Sequence, residues 1–260
     1  MREPLQREAL HEALVTSGRP WTGLDVHPSL GSTNAEAARL ARPHHVVLTD
    51  HQQAGRGRLG RTWETPAGTS VTLSVLLPVP DDGRGWVPLL AGLAVARGIA
   101  DTAAVATALK WPNDVLVPGD GNRKVCGVLC ELQPTGVVVG IGINVDQARE
   151  ELPVDTATSL RLAGAAAVAR EELVVAVLDH LADLHGGLLA GGPRRREVQD
   201  AYREACTTVG REVDLHGADG RVARVRAVGV DEEGRLLVAG DTGTYAVAAG
   251  DVVHVRTAAG

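Results

Sequence analysis

The sequence predicts an α+β protein, a largely antiparallel sheet with packed helices, followed by a small β-barrel or sandwich. Three observations carry that reading. Residues 106–145 hold β-rich segments separated by the turns PGDGN and PTG, the pattern of an antiparallel meander. Residues 171–189 and 193–206 read as two helices, the second with Pro193 at a first-turn position. Residues 207–256 break into short β-branched segments at Gly/Asp turns. That change of character places a boundary near Cys206, giving one domain over 1–206 and a smaller one over 207–260.

In chain order, residues 1–20 read as a short polar lead-in. Ser32, Thr33 or Asn34 can cap the Ala-rich helix pattern that follows. His45–Thr49 is a short β-branched run and therefore a strand. Residues 51–68 carry four glycines and little apolar content, so they form a long loop, and such loops are commonly functional. Residues 69–77 alternate as a strand, and 86–104 form a helix despite Gly92 and Gly98. The meander comprises a strand ending within LKWPNDVLV, a second over 123–132 and a third over 137–145, with a loop over 146–158.

Composition narrows the function. The 260 residues are 44% hydrophobic, enough for a sizeable core. A net charge of −6 gives a nucleic-acid backbone no broad attraction. No apolar run of ~18 residues is uninterrupted, and the N-terminus lacks the apolar core of a signal peptide. Three cysteines give no disulfide framework. These features predict a soluble cytoplasmic chain without DNA or membrane partners. There is no Phe, only six aromatic residues occur, and the only lysines are Lys110 and Lys124. In so Arg-rich a chain, a retained lysine suggests a need for a compact ammonium.

Several segments can carry chemistry. Gly55-Arg56-Gly57-Arg58-Leu59-Gly60-Arg61 combines flexible backbone with forked cationic donors, as an anion clamp requires; a solvated Gly/Arg linker or an RNA-binding segment has the same composition. Trp63 follows at once and can stack on a base or exclude water. Lys110-Trp111-Pro112-Asn113-Asp114 presents Lys, Asn and Asp at a strand end, because Pro112 stops the ladder there. Hairpin pairing would bring Lys124 to the same end of the sheet. The glycines of Gly140-Ile141-Gly142-Ile143-Asn144 imply close approach of a backbone or ligand, or a tightly packed core strand. Cys126 and Cys130 have no second ligand pair at zinc spacing and read as buried apolar residues.

Taken together, GSTN at 31–34, QQAGRGRLGRTW at 52–63, KWPNDV at 110–115, RKVCGVLCE at 123–131 and GIGINV at 140–145 resemble the biotin protein ligases, in family order and at family-like separations. The resemblance spans roughly residues 24–256. It implies a central mixed, largely antiparallel sheet of the biotin/lipoate ligase type and an SH3-like C-terminal barrel. The chain resembles the short, non-repressor members, with too little sequence before Trp21 for a DNA-binding winged helix. It departs from the family at Leu59, where a basic residue is common.

The resemblance implies that ATP and biotin, with Mg2+, give biotinyl-5′-adenylate. A lysine of a biotin carboxyl carrier domain then takes the biotinyl group. It assigns Ser32, Thr33, Asn34 and Gln52 to the biotin ring, Arg56, Gly57 and Arg58 to the clamp, and Gly127 and Leu129 to backbone contacts along biotin. Lys124 would meet the biotin carboxylate and bridging phosphate, Lys110 and Asn113 the phosphates, and Trp63 and Asn144 the adenylate. Lys124, Arg58 and Lys110 are the expected catalytic residues. Arg61 is read as a further nucleotide contact and Asp114 as a metal partner. A lipoate–protein ligase shares the reaction type, and a non-enzymatic nucleic-acid-binding protein would use the Gly/Arg loop differently. The protein is expected to be a monomer or weak homodimer.

Overall fold

Alternating side chains on a few long strands decide this architecture. The computed structural model describes residues 2–216, 222–240, 243–248 and 251–254; the other residues of the expected 207–260 domain lie outside that set. The chain opens with α1 (Arg7–His11) and a π-turn over Glu12–Thr16. This corrects the polar lead-in expected for residues 1–20. Leu10 and Leu14 stand one helical turn apart and are buried with Leu5 in the main core, while Arg7, Glu8 and Glu12 face outward.

Strand β1 (Gly23–His27) was not expected, because Leu24 and Val26 are too few to give a periodic signal. Helix α2 (Thr33–Leu40) follows, with Ser32 as its N-cap: the Ser32 hydroxyl accepts from the Ala35 amide. Next comes β2 (His45–Thr49), parallel to β1. Within the expected loop 51–68, β3 (Gly55–Arg56) pairs with β4 (Thr62–Trp63) as a short ribbon.

Strand β5 (Ser70–Leu77) and helix α3 (Val87–Ala103) lead to the meander β6 (Ala108–Lys110), β7 (Asp114–Val117), β8 (Arg123–Gln133) and β9 (Gly136–Asn144). Trp111-Pro112-Asn113 turns the chain between β6 and β7, with a cis Trp111–Pro112 peptide. Helices α4 (Arg170–Ala190) and α5 (Gly192–Ala205) follow. Helix α4 is long and apolar enough to cross a membrane. Its Leu173, Val174, Val177, Leu178, Leu181, Leu184 and Leu188 are instead buried in the core.

The main sheet has the order β1-β2-β5-β9-β8-β7-β6, antiparallel except for the β1–β2 pair. It is the mixed, largely antiparallel sheet expected. Period-2 alternation gives it two different faces. Val71, Leu73, Val75 and Leu77 of β5, with Val137, Val139, Ile141 and Ile143 of β9, join the core that includes α3 and α4. On the other face Leu76 and Val138 meet Ala37 of α2. Further along that face the residues become Thr72 and Ser74 on β5 and Gly140, Gly142 and Asn144 on β9. The apolar cover ends there, and a cavity begins.

The C-terminal domain contains β10 (Glu212–His216), β11 (Val222–Val230), β12 (Leu236–Gly240), β13 (Gly243–Val247) and β14 (Asp251–His254). They form an antiparallel sheet in the order β13-β12-β11-β10-β14. Where a closed barrel was expected, no ladder joins β13 to β14 among the described residues. Two of the scarce aromatics anchor this domain. The Trp86 indole N–H donates to the Glu232 carbonyl at 2.8 Å, and that of Trp111 to the Gly234 carbonyl at 3.0 Å. Both indoles are buried, so losing either partner would strand a polar group away from water.

The His44 and His185 rings lie 5.6 Å apart, tilted by 53°, and the His185 ring meets the Pro78 carbonyl at 2.8 Å. Burial is the main cause that lowers both pKa values from the ordinary histidine range; for His185 the carbonyl contact opposes this and His44 adds to it. Below about pH 6.5 the unfolded chain takes up protons that these folded rings refuse. Stability should therefore fall as pH drops from about 6.5 through the lowered folded pKa values. Denaturant midpoints measured from pH 7.5 to 5 should decline, and His185→Gln should flatten that slope.

Candidate active site

The cavity beside α2 has a volume of about 1110 Å³, and its lining includes every site residue expected from the sequence. Ser32, Thr33, Asn34 and Gln52 stand at one end; Arg56, Gly57, Arg58, Arg61 and Trp63 come from the β3–β4 ribbon; Lys110 ends β6, Asn113 lies in the turn after it and Asp114 opens β7; Lys124, Gly127 and Leu129 come from β8, and Asn144 ends β9.

The α2 end is a closed hydrogen-bond network. The Thr33 amide and hydroxyl donate to Gln52 Oε1 at 2.9 and 3.1 Å. The Ser74 hydroxyl lies 2.8 Å from Thr33 Oγ1 and 2.6 Å from Asn34 Oδ1. Asn34 Nδ2 donates to Glu131 Oε2 at 2.7 Å. Glu131 also meets Arg56 at 3.2 Å, so one carboxylate ties the α2 end to the β3–β4 ribbon. Sequence reasoning passed over Ser74 and Glu131. Their signal was alternation: each lies on the cavity face of its strand, where a core residue would be apolar.

The centre is cationic. Register pairing sets Asp114 opposite both Lys110 and Gly127, which brings the two lysines to one carboxylate. Lys124 Nζ is 2.6 Å from Asp114 Oδ1, and Lys110 Nζ is 3.6 Å from Asp114 Oδ2. Burial favours the neutral Asp114 carboxyl, but Lys124 and Lys110, with Arg61 adding less, outweigh it and hold its pKa below the ordinary carboxylate value. Arg58 donates to the Asn113 carboxamide oxygen at 3.1 Å, and Asn113 Nδ2 donates to the Val128 carbonyl at 2.9 Å. Lys124 lies over the Trp63 ring, 5.8 Å from its centroid. Asn144 is oriented by the Thr158 carbonyl and by Gln147, whose Nε2 donates to Asn144 Oδ1 at 3.0 Å.

The floor explains two glycines of β9. A Cβ on Gly140 would collide with the Asn34 carboxamide, and one on Gly142 would lie 2.5 Å from the Trp63 ring. The groups that fill these gaps are side chains, not a backbone or a ligand, so tight packing of the strand is the alternative observed. Leu59, at the tip of the ribbon, has φ +56 and is 74% exposed, and it is not among the residues that line the cavity.

The donor set does not fit a protein-held Mg2+. Among the described residues no group of three or more His, Cys, Asp or Glu gathers, and both Asp114 oxygens face lysines. Burial pushes the Cys126 thiol well up and that of Cys130 to about 12. Neither thiol is a thiolate near neutral pH, as expected for cysteines without a ligand role.

An extended anionic substrate fits this arrangement: neutral hydrogen-bonding groups at one end, and a ring of cations at the other. In Gly142→Ala the new methyl must displace Trp63, so tryptophan emission should shift and ligand affinity should fall while the melting temperature stays near that of the parent. Unchanged emission would show that Trp63 does not depend on this gap.

A model of the biotin/lipoate A/B protein ligase family matches residues 31–147, and a model of the biotin protein ligase C-terminal domain matches residues 208–255. The chain is 38% identical over 267 residues to a biotin–[acetyl-CoA-carboxylase] ligase of Mycobacterium tuberculosis, covering 98% of each chain. It is 31% identical to the bifunctional ligase/repressor BirA of Bacillus subtilis, over 87% of this chain and 72% of that one. Among solved structures it is similar to a biotin protein ligase from Aquifex aeolicus in complex with biotin and ATP. That match has a TM-score of 0.76 and 27% identity, and covers 91% of this chain and all of the other.

Proposed function

This chain belongs to the biotin protein ligases, and from that premise we infer that it joins biotin to a lysine of a biotin carboxyl carrier domain, using ATP. The observation that carries the site assignment is the convergence of Lys110, Lys124, Arg56, Arg58 and Arg61 on one cavity with a neutral hydrogen-bonding end. A lipoate ligase reading is less well supported, since the named relatives act as biotin ligases.

The reaction has two displacements. A biotin carboxylate oxygen attacks the α-phosphorus of ATP; the bond to the β-phosphate oxygen breaks, and pyrophosphate leaves with the electron pair. The neutral amine of the carrier lysine then attacks the acyl carbon of biotinyl-5′-adenylate. The carbon–oxygen bond to phosphate breaks, AMP leaves, and the amine proton passes to solvent. No protein nucleophile is needed, so catalysis consists of positioning and charge stabilisation.

The residue roles we propose are in keeping with position in the cavity. Ser32, Thr33, Asn34 and Gln52 hold the biotin ring, with Gly127 and Leu129 along its chain. Lys124, midway between that end and the β6 edge, meets the biotin carboxylate and the α-phosphate. Lys110 and Asn113 meet the phosphates; Trp63, Asn144 and Arg61 meet the nucleotide; Arg56, Gly57 and Arg58 cover both. Asp114 serves as the counter-charge that holds two ammonium groups in place, because a carboxyl held below its ordinary pKa is a poor base. Mg2+ enters with the triphosphate. We place the functional boundary after Cys206, between α5 and β10. We assign the protein to the cytoplasm as a monomer or weak homodimer without DNA or membrane partners, in keeping with its net charge of −6.

Mass spectrometry of a carrier domain incubated with the protein, biotin, ATP and Mg2+ should show the gain of one biotinyl group; no gain overturns the assignment. Lys124→Ala should release pyrophosphate ~10²–10³ times more slowly while melting near the parent temperature. Trypsin cleavage at Arg56, Arg58 and Arg61 should slow when biotin and ATP are both present, because closure of the glycine-hinged ribbon shields the adenylate from water. Equal cleavage rates with and without the substrates would remove the lid role.

A further inference from the structure

We propose that Arg211, supplied by the C-terminal domain, binds the β- and γ-phosphates of ATP, so that the cavity is incomplete without that domain. The proposal rests on the ligase reading above and adds a residue to it.

Strand order gives the cavity a direction. Asn34 and Ser74 mark one end over β5 and β9, Lys124 and Gly127 lie on β8, Asp114 on β7 and Lys110 on β6, the edge strand. From β9 to β6 is three strand spacings, roughly 14 Å. A substrate with its ring system at the first end and its carboxylate at Lys124 therefore sends its phosphates towards and past the edge. Arg211 lines the cavity there, the one contribution to its lining from residues 208–255 among the described residues.

Its place is built by the backbone beside Lys110. The Thr207 amide donates to the Leu109 carbonyl at 2.9 Å, and the Trp111 amide donates to the Thr208 hydroxyl at 3.0 Å. The Arg211 amide closes a turn onto the Thr208 carbonyl at 3.2 Å, and its own carbonyl accepts from the Ala227 amide of β11 at 2.9 Å. The residues flanking Lys110 thus hold the turn that carries Arg211. The indole bonds of Trp86 and Trp111 fix the rest of the domain behind it.

Charge separates Arg211 from the other cations. Arg56 is paired with Glu131, Lys110 and Lys124 share Asp114, Arg58 donates to Asn113, and Arg61 donates to the Arg58 carbonyl. The Arg211 side chain is exposed, and no described residue accepts from its guanidinium. A triphosphate brings more negative charge than partly neutralised groups can balance, and a planar guanidinium matches phosphate oxygens in pairs. The β- and γ-phosphates leave together, so Arg211 would stabilise pyrophosphate as it departs.

The test is steady-state adenylation by the full chain with Arg211→Ala and Arg211→Lys. Arg211→Ala should raise the KM for ATP about tenfold or more, and leave that for biotin within about twofold. Inhibition by pyrophosphate should weaken by a similar factor, inhibition by AMP should not change, and Arg211→Lys should recover part of the loss. An active parent with an Arg211→Ala variant whose KM for ATP is unchanged overturns this proposal alone. So does an equal rise in the KM for biotin, or a defect confined to transfer from preformed biotinyl adenylate to the carrier. A parent that forms no adenylate overturns the ligase reading, and this proposal with it.

Discussion

Two ammonium groups bound to one carboxylate are the constraint on which the site depends. Lys110, Asp114 and Lys124 come from three consecutive strands, and antiparallel pairing is what brings them to one point. Without Asp114, the two ammonium groups would repel each other and drift towards solvent. Without the lysines, a partly buried carboxylate would be left with its desolvation unbalanced. The arrangement keeps positive charge ready near the middle of the cavity before any substrate arrives, which reduces the reorganisation that the reaction would otherwise require.

The sheet turns this local balance into a directional binding groove. One face is apolar along its whole length and is sealed by α3 and α4. The other changes from Leu76 and Val138 under α2 to hydroxyls, glycines and Asn144 within a few residues. The missing side chains at Gly140 and Gly142 are filled by Asn34 and Trp63. Floor and wall are therefore shaped by the same interlocking. The small ribbon carrying Arg56 and Trp63 meets the rest of the cavity through the Arg56–Glu131 pair, the Arg58–Asn113 hydrogen bond and the Trp63 indole against Gly142 and Lys124.

Much of this was legible in the sequence because the site is written in short contiguous motifs. Each motif carries residues whose chemistry is visible without neighbours: arginines between glycines, lysines in a chain almost without them, a proline that stops a strand. Strands His45–Thr49, Arg123–Gln133 and Gly136–Asn144 were long or β-branched enough to be read, whereas β6 and β7 were read as a single strand. What was not legible depended on partners distant in sequence. Strand β1 holds two apolar residues and is stabilised by its parallel neighbour, and the N-terminal leucines are apolar islands among charges that only the core explains. Glu131 and Ser74 gain their roles from Asn34, and Arg211 from a turn pinned to Trp111. Motif reading does not report such cross-chain relations.

The pairing at Asp114 also bears on selectivity among amines. An acyl phosphate reacts with any unprotonated primary amine within reach, and this chain has only two side chains of that kind, both lining the chamber where the acyl phosphate would form. Both are held in ion pairs with one carboxylate, so neither is presented as a free amine. The catalyst is thereby shielded from acylating itself, and the incoming partner's lysine is left as the productive target.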